Sequence, residues 1–79
     1  MVELKYITTK QGHVILWPRT DSVWHSHIAR AVIGGAKSAG FVSIADGVVS
    51  TFGRSESLNL DTAEGDDALI AGQLGLRSE

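Results

Sequence analysis

The chain has 79 residues, no cysteine, 20% charged residues and a net charge of −2 at pH 7. A chain of this length holds one domain, residues 1–79, with one modest core, and the lack of cysteine excludes disulfides and thiolate metal sites as sources of stability. Its slightly acidic balance gives no basic field that would attract a phosphate backbone, so we expect no nucleic-acid partner.

Residues 6–23 and 41–58 are two similar copies of one pattern. The identical pairs are Gly12/Gly47, Val14/Val49, Arg19/Arg54 and Ser22/Ser57. Seven of the other fourteen aligned positions keep their chemical type, with an aromatic residue at the start of each copy. An internal repeat of this kind predicts two units of like structure, about 3–35 and 38–76.

The first unit predicts a hairpin of strands 3–9 and 13–17. β-Branched and aromatic residues fill both segments, and the Gly12 turn between them is short. If that turn has two residues, Tyr6 faces Trp17 across the hairpin.

A helix from about residue 23 to 33 follows this hairpin. Pro18 stops the second strand, and Asp21 or Ser22 is placed to cap the helix. The glycine pair 34–35 ends the helix, because glycine readily takes the left-handed backbone conformation.

The second unit predicts strands 41–45 and 48–52 around an Asp-Gly turn. Asp-Gly is a strong signal for a two-residue hairpin, because both turn positions need positive φ. Asp61 caps a second helix from about 62 to 74, and we expect residues 76–79 to fray.

The glycine-rich segment 34–40 joins the two units. A phosphate loop needs a strand before it and a helix after it, whereas this segment follows a helix and enters a strand. We therefore expect a connector with Lys37 in solvent.

Two ββα units in tandem predict an α+β fold in two layers. The predicted architecture is a four-stranded antiparallel sheet of ββαββα order, with both helices on one face and an approximate twofold axis. The predicted registers place aliphatic side chains on one face and aromatic or polar side chains on the other. We expect the helices to cover the aliphatic face. The reverse arrangement stays open, because a slip of one residue inverts every side chain.

The aromatic face is the candidate interface. Large exposed apolar patches are rare on monomers, so something should cover it. Its residues are Tyr6, Ile15, Trp17, Phe41 and Phe52.

Arg19 and Arg54 are candidate anion contacts, since the repeat places them at equivalent positions. Each arginine lies two residues after an aromatic side chain, on which it could stack. The alternative, which we favour, is that each pairs with the neighbouring acid, Asp21 or Glu56, and stabilises a corner of the chain.

No catalytic motif is present in the sequence. His25 and His27 point apart on a helix, and Asp21 with His25 supplies only two ligands for a metal, so we expect structural histidines. No serine stands in a nucleophile motif. We therefore expect no enzyme activity, no cofactor and no metal.

The motifs SAGF (38–41), GRSESL (53–58) and DDALI (66–70) resemble a pattern in small uncharacterised proteins of bacteria and their phages. The resemblance covers the second half of the chain well and the first half only as a strand-rich segment. It implies one compact domain and assigns no activity or functional residue.

The longest apolar runs are far shorter than the roughly 18 residues of a membrane span, and the first residues lack the pattern of a secretory signal. We expect a cytoplasmic protein that does not enter membranes.

These features predict a self-associating protein-interaction module. The expected assembly is a twofold dimer that buries the aromatic face or an edge strand. The alternative function is binding of a small ligand or single-stranded nucleic acid on the aromatic face.

Overall fold

A computed structural model describes residues 1–20, 22–32 and 34–79. The described residues form seven strands and two helices, so the chain is an α+β protein as predicted. In chain order the elements are β1 (Val2–Thr9), β2 (Val14–Pro18), α1 (His25–Ala29), β3 (Ala36–Ala45), β4 (Val48–Phe52), β5 (Arg54–Ser55), β6 (Leu60–Asp61), α2 (Asp66–Leu74) and β7 (Arg77–Ser78).

The main sheet of the described residues has five strands in the order β2-β1-β3-β4-β7, and β5 pairs with β6 separately. Neighbouring strands are antiparallel except β4 and β7, which are parallel. The sheet is one strand wider than predicted, and the expectation of a frayed end is wrong. The backbone N–H of Arg77 donates to Gly47 O at 3.1 Å, and that of Glu79 donates to Val49 O at 2.9 Å. These bonds occupy part of the open edge of β4.

The first hairpin has a register one residue away from the predicted one. Its loop has four residues instead of two, and the N–H of Thr9 donates to the carbonyl of His13 at 2.8 Å. Tyr6 consequently pairs with Leu16 and not with Trp17. Because side chains alternate along a strand, Tyr6 and Trp17 lie on opposite faces of the sheet.

The second hairpin has the predicted register, with Phe41 opposite Phe52. Asp46 and Gly47 both have positive φ, 53° and 76°. The Asp-Gly turn therefore has the two-residue geometry that fixes this pairing.

β3 begins earlier than predicted and includes residues 36–40 of the expected connector. Ser38 and Ala39 are buried in this strand, where they pair with Thr8 and Ile7 of β1. Lys37 is exposed, as predicted.

The two helices pack on opposite faces of the sheet, although the sequence predicted both on one face. On one face, α2 contributes to a core cluster of Tyr6, Val42, Val49, Ile70 and Ala71. On the other face, α1 contributes to a cluster of Ile7, Trp17, Ala29 and Ala39. A twofold axis that exchanged the two hairpins would leave both helices on one face. The repeat in the sequence is therefore not reproduced as symmetry of the described residues.

Both helices are shorter than predicted. α1 has five residues with Trp24 at its N-cap position, while Asp21, one of the predicted caps, lies outside the described residues. α2 begins at Asp66 after Gly65, whose φ is +92°, and not near residue 62. Each helix is long enough to cover only part of its face.

A buried carboxylate joins α2 to the sheet. One oxygen of Asp66, Oδ2, accepts hydrogen bonds from Tyr6 Oη at 2.6 Å, Ser38 Oγ at 2.8 Å and the backbone N–H of Ala63 at 3.0 Å. Ser38 also shares a hydrogen bond with the hydroxyl of Thr8. Three donors on one carboxylate offset the cost of removing its charge from water.

Candidate functional site

One row of side chains crosses four strands on the face that carries α1. Strand pairing places Trp17 beside Lys5, Lys5 beside Phe41, and Phe41 beside Phe52. Trp17 and Lys5 are buried, at 9% and 8% exposure, whereas Phe41 is half-buried and Phe52 is 37% exposed. The rings of Phe41 and Phe52 stack with centroids 5.7 Å apart. The short helix α1 therefore covers only the Trp17 end.

The predicted interface residues do not all lie on one face of the sheet. Ile15 and Trp17 pack in the cluster under α1, and Phe41 is half-buried beside the exposed Phe52. Tyr6, which was predicted on the same face, is fully buried under α2 because of the shifted register. Only the Phe41 and Phe52 end of the predicted face is open.

The residues that lie beyond Phe52 on the same face form an open area with it, here called the open strip. Glu3 pairs with Ser43, and Ser43 pairs with Ser50, whose hydroxyl lies 2.9 Å from that of Ser43. The side chains of the strip are exposed or half-buried, whereas Ile7 and Ala39 on the covered part of the face are fully buried. The open strip consists of Glu3, Ser43, Val48, Ser50 and Phe52.

Arg19 stacks on Phe41, which agrees with one of the two alternatives predicted from the sequence. Its guanidinium carbon lies 4.3 Å from the ring centre of Phe41, and its Nη1 lies 2.7 Å from Glu3 Oε1. The other predicted partner of Arg19, Asp21, lies outside the described residues. The cation–π contact and the ion pair hold Arg19 beside the open strip.

Arg54 is placed differently from its repeat partner. Its Nε lies 3.3 Å from Asp61 Oδ1, and its Nη2 donates to Asn59 Oδ1. The predicted pairing with Glu56 is therefore wrong, because the β5–β6 turn brings Asp61 across to Arg54. Nη1 of Arg54 makes no hydrogen bond to the described residues.

An open groove of about 540 Å³ lies on the α1 face. This volume falls in the range of roughly 300–1,000 Å³ that is usual for small-molecule sites. Two cations, a carboxylate and three aromatic rings contribute to its walls, which include Lys5, Trp24, His25, Phe41, Arg54 and Glu56.

Lys5 is a buried cation in the wall of this groove. Only 8% of the residue is exposed, and its Nζ donates to Thr20 O at 2.5 Å and Val23 O at 2.9 Å. No carboxylate of the described residues lies within 4.0 Å of its ammonium group. Among the described residues, two carbonyl dipoles thus solvate this charge and no carboxylate neutralises it.

His25 is buried between two aromatic rings. Its ring meets those of Trp17 and Phe41 edge to face, at 5.3 Å and 5.5 Å, and its Nε2 donates to Gly40 O at 2.8 Å. Burial lowers the pKa of His25, the bond to Gly40 opposes this, and repulsion by Lys5 lowers the pKa further. The neutral ring therefore presents Nδ1 as an acceptor, which bonds to no other described residue.

The two histidines do not converge on a common point. His27 stacks on Trp24 with ring centres 5.6 Å apart, while the ring of His25 turns into the sheet. Within the part of the chain that the structure describes, no three His, Cys, Asp or Glu side chains are grouped to hold a metal ion.

Lys5 and Trp24 were missed as candidates in the sequence. Lys5 lies between apolar residues of β1, and because side chains alternate along a strand, its position predicts a solvent-facing side chain. Only the true register places it between Trp17 and Phe41. Trp24 falls within the helix that was predicted from about residue 23 to 33, but it precedes a five-residue helix and is 55% exposed.

Comparisons with protein-family models, curated proteins and solved structures gave no match to this chain. The resemblance to small bacterial and phage proteins therefore stays a prediction. No helix in the described ranges is long and apolar enough to cross a membrane. The groove and the open strip are the features that suggest a function.

Proposed function

We propose that this protein is a non-enzymatic, cytoplasmic interaction module that forms a twofold dimer through its open strip. The observation that carries the proposal is an uncovered sheet face that ends in the exposed, stacked ring of Phe52. In two-layer and three-layer domains a sheet face is normally packed against another element. Here α1 leaves the open strip without such a layer.

The composition of the open strip suits contact with a second flat surface. Ser43, Val48 and Ser50 are small, and the two serine hydroxyls bond to each other, so their hydrogen-bonding needs are partly met within the chain. A second sheet face could approach closely over these residues. Phe52 then supplies the aromatic anchor that is typical of the energetic centre of an interface.

The charges beside the strip favour a second copy of this chain as the partner. A twofold interface brings the same patch of both subunits together, so it requires a patch that complements itself. Arg19 and Glu3 stand side by side at the border of the strip, 46% and 38% exposed. In a twofold arrangement each arginine could face the glutamate of the other subunit.

The alternative mode, pairing through an edge strand, is less favoured. The outer edge of β2 has few free donors, because the N–H of Val14 donates to Gln73 Oε1 at 3.0 Å and Pro18 has no N–H. Edge strands altered in this way are poor templates for pairing. These contacts support the face as the interface.

Sedimentation of the wild-type chain and of matched variants tests the proposal. We expect a dimer at high micromolar concentration, and Phe52→Glu should convert it to a folded monomer. Leu69→Glu on α2 is the control, because its side chain is equally exposed, at 36%, on the opposite side of the sheet. A wild-type monomer, or a dimer that Phe52→Glu leaves intact, would overturn the proposal.

A further inference from the structure

We propose that the groove of Lys5, Trp24 and Arg54 binds a small ligand with a planar ring and one phosphate monoester group, the chemistry of a nucleoside monophosphate. This inference goes beyond self-association and rests on different residues, since Phe52 does not line the groove.

Lys5 supplies a buried positive charge to the groove. Lys5 has no counter-ion among the described residues, a buried ammonium group in that state is costly, and a bound anion would lower the cost. Nζ uses two of its three N–H donors on the carbonyls of Thr20 and Val23. No described residue accepts from the third donor, which can therefore meet a ligand oxygen, and the residue lines the groove.

A second set of donors comes from Arg54. Its Nε and Nη2 are held by Asp61 and Asn59, which orient the guanidinium plane. Nη1 keeps both of its N–H groups free of described partners. Fixed guanidinium groups with open donors are well suited to phosphate, which has several acceptor oxygens.

Trp24 provides the stacking surface. Its indole lies on the groove wall, 55% exposed, and its plane is within 3° of that of His27, which supports it from one side. Stacking of a base on an aromatic side chain contributes about 1–3 kcal/mol and tolerates different bases.

The acidic surroundings favour a single phosphate over a polymer. Glu56 lines the same groove, Asp61 lies beside Arg54, and Glu3 lies beside Arg19. A nucleic-acid strand would carry further phosphates past these carboxylates, whereas one phosphate needs only Lys5 and Arg54. Glu56 itself should oppose the ligand.

Titration calorimetry with adenosine monophosphate and with adenosine tests the site in the full chain. We expect binding of the monophosphate that weakens with salt, and binding of adenosine that is at least about tenfold weaker, because it lacks the charge-assisted bonds. An oligonucleotide of the same base should bind no more tightly per site than the monophosphate.

Three charge variants locate the binding. Arg54→Gln should weaken the monophosphate about tenfold and leave adenosine unchanged, while Glu56→Gln should tighten the monophosphate. Lys5→Met should weaken binding of the monophosphate about as much as Arg54→Gln does. If Lys5→Met does not fold, the variants of the exposed residues Arg54 and Glu56 test the site without it. Lys37→Met, an exposed lysine away from the groove, is the control.

Several results would overturn the site. These are equal binding of the two compounds, no heat at millimolar monophosphate, or equal effects of Lys37→Met and Arg54→Gln. Phe52→Glu separates this proposal from the dimer, since the monomeric variant should keep its affinity for the ligand.

Discussion

Tyr6 Oη donates a hydrogen bond to Asp66 Oδ2 across 2.6 Å, although 60 positions separate the two residues in the chain. Both groups are buried, and the bond joins β1, which lies next to the edge strand β2, to the first turn of α2. It therefore fixes where α2 begins and which face it covers.

Asp66→Ala should lower the free energy of unfolding by at least about 3 kcal/mol, because it leaves two buried hydroxyls and one backbone N–H without their acceptor. Urea denaturation measures this change. Asp67→Ala is the matched control, since among the described residues the neighbouring carboxylate accepts a hydrogen bond from the N–H of Ala68 alone, at 2.9 Å. Equal losses in the two variants would contradict the role assigned to Asp66.

Alkaline pH should destabilise the protein through Tyr6. Burial, and then the bond to Asp66, raise the pKa of Tyr6 above that of a free tyrosine. The folded state thus prefers the neutral phenol, so its stability is complete below about pH 10 and falls as the pH rises beyond this value. Tyr6 is the only tyrosine, so tyrosinate absorbance should appear together with unfolding. Tyr6→Phe should flatten the alkaline decline, and an unchanged decline would refute the assignment.

Acid pH should destabilise the protein through His25. The lowered pKa of His25 means that the folded state prefers the neutral ring. Stability is therefore complete above about pH 6.5 and falls below this value as the unfolded chain takes up the proton. Thermal unfolding between about pH 7 and pH 5 measures the slope. His25→Phe should reduce it, and parallel slopes would show that another group is responsible.

Gly40→Ala should destabilise the fold, whereas Gly72→Ala should stabilise it. A Cβ at Gly40 would lie 2.6 Å from Thr62 Cγ2 and 3.0 Å from the carbonyl oxygen of Phe52, so we expect a loss of about 1–3 kcal/mol. At Gly72, inside α2, the Cβ meets nothing within 4 Å, and helix propensity predicts a gain of about 0.5–1 kcal/mol. Chemical denaturation compares the two, and a stabilising Gly40→Ala would contradict the described packing.

The hairpins show which local signals are sufficient for prediction. Asp46-Gly47 determined both turn and register, because two consecutive positive φ angles admit few alternatives. Gln11-Gly12 carried no such restriction, and the longer loop shifted Tyr6 to the other face. Fold class and the second hairpin were therefore predictable, while the face of the sheet on which each aromatic side chain lies was not.

The site was less predictable than the fold because tertiary contacts assemble it. Lys5 finds its carbonyl partners 15 and 18 positions away, and Arg54 finds Asp61 across a short turn. The repeat suggested equal roles for Arg19 and Arg54. Their surroundings differ because Arg54 pairs with Asp61 in the short β5–β6 unit, whereas Arg19 lies over Phe41 and beside Glu3.

The pairing of β1 with β3 has a consequence for folding during synthesis. Each half of the chain supplies one hairpin, and an isolated hairpin is marginally stable in water. The two central strands meet only between segments distant in sequence, such as Val2 with Ile44. A nascent chain on the ribosome therefore cannot close its sheet until β3 has emerged, and we expect fragments of either half to be unfolded when expressed alone.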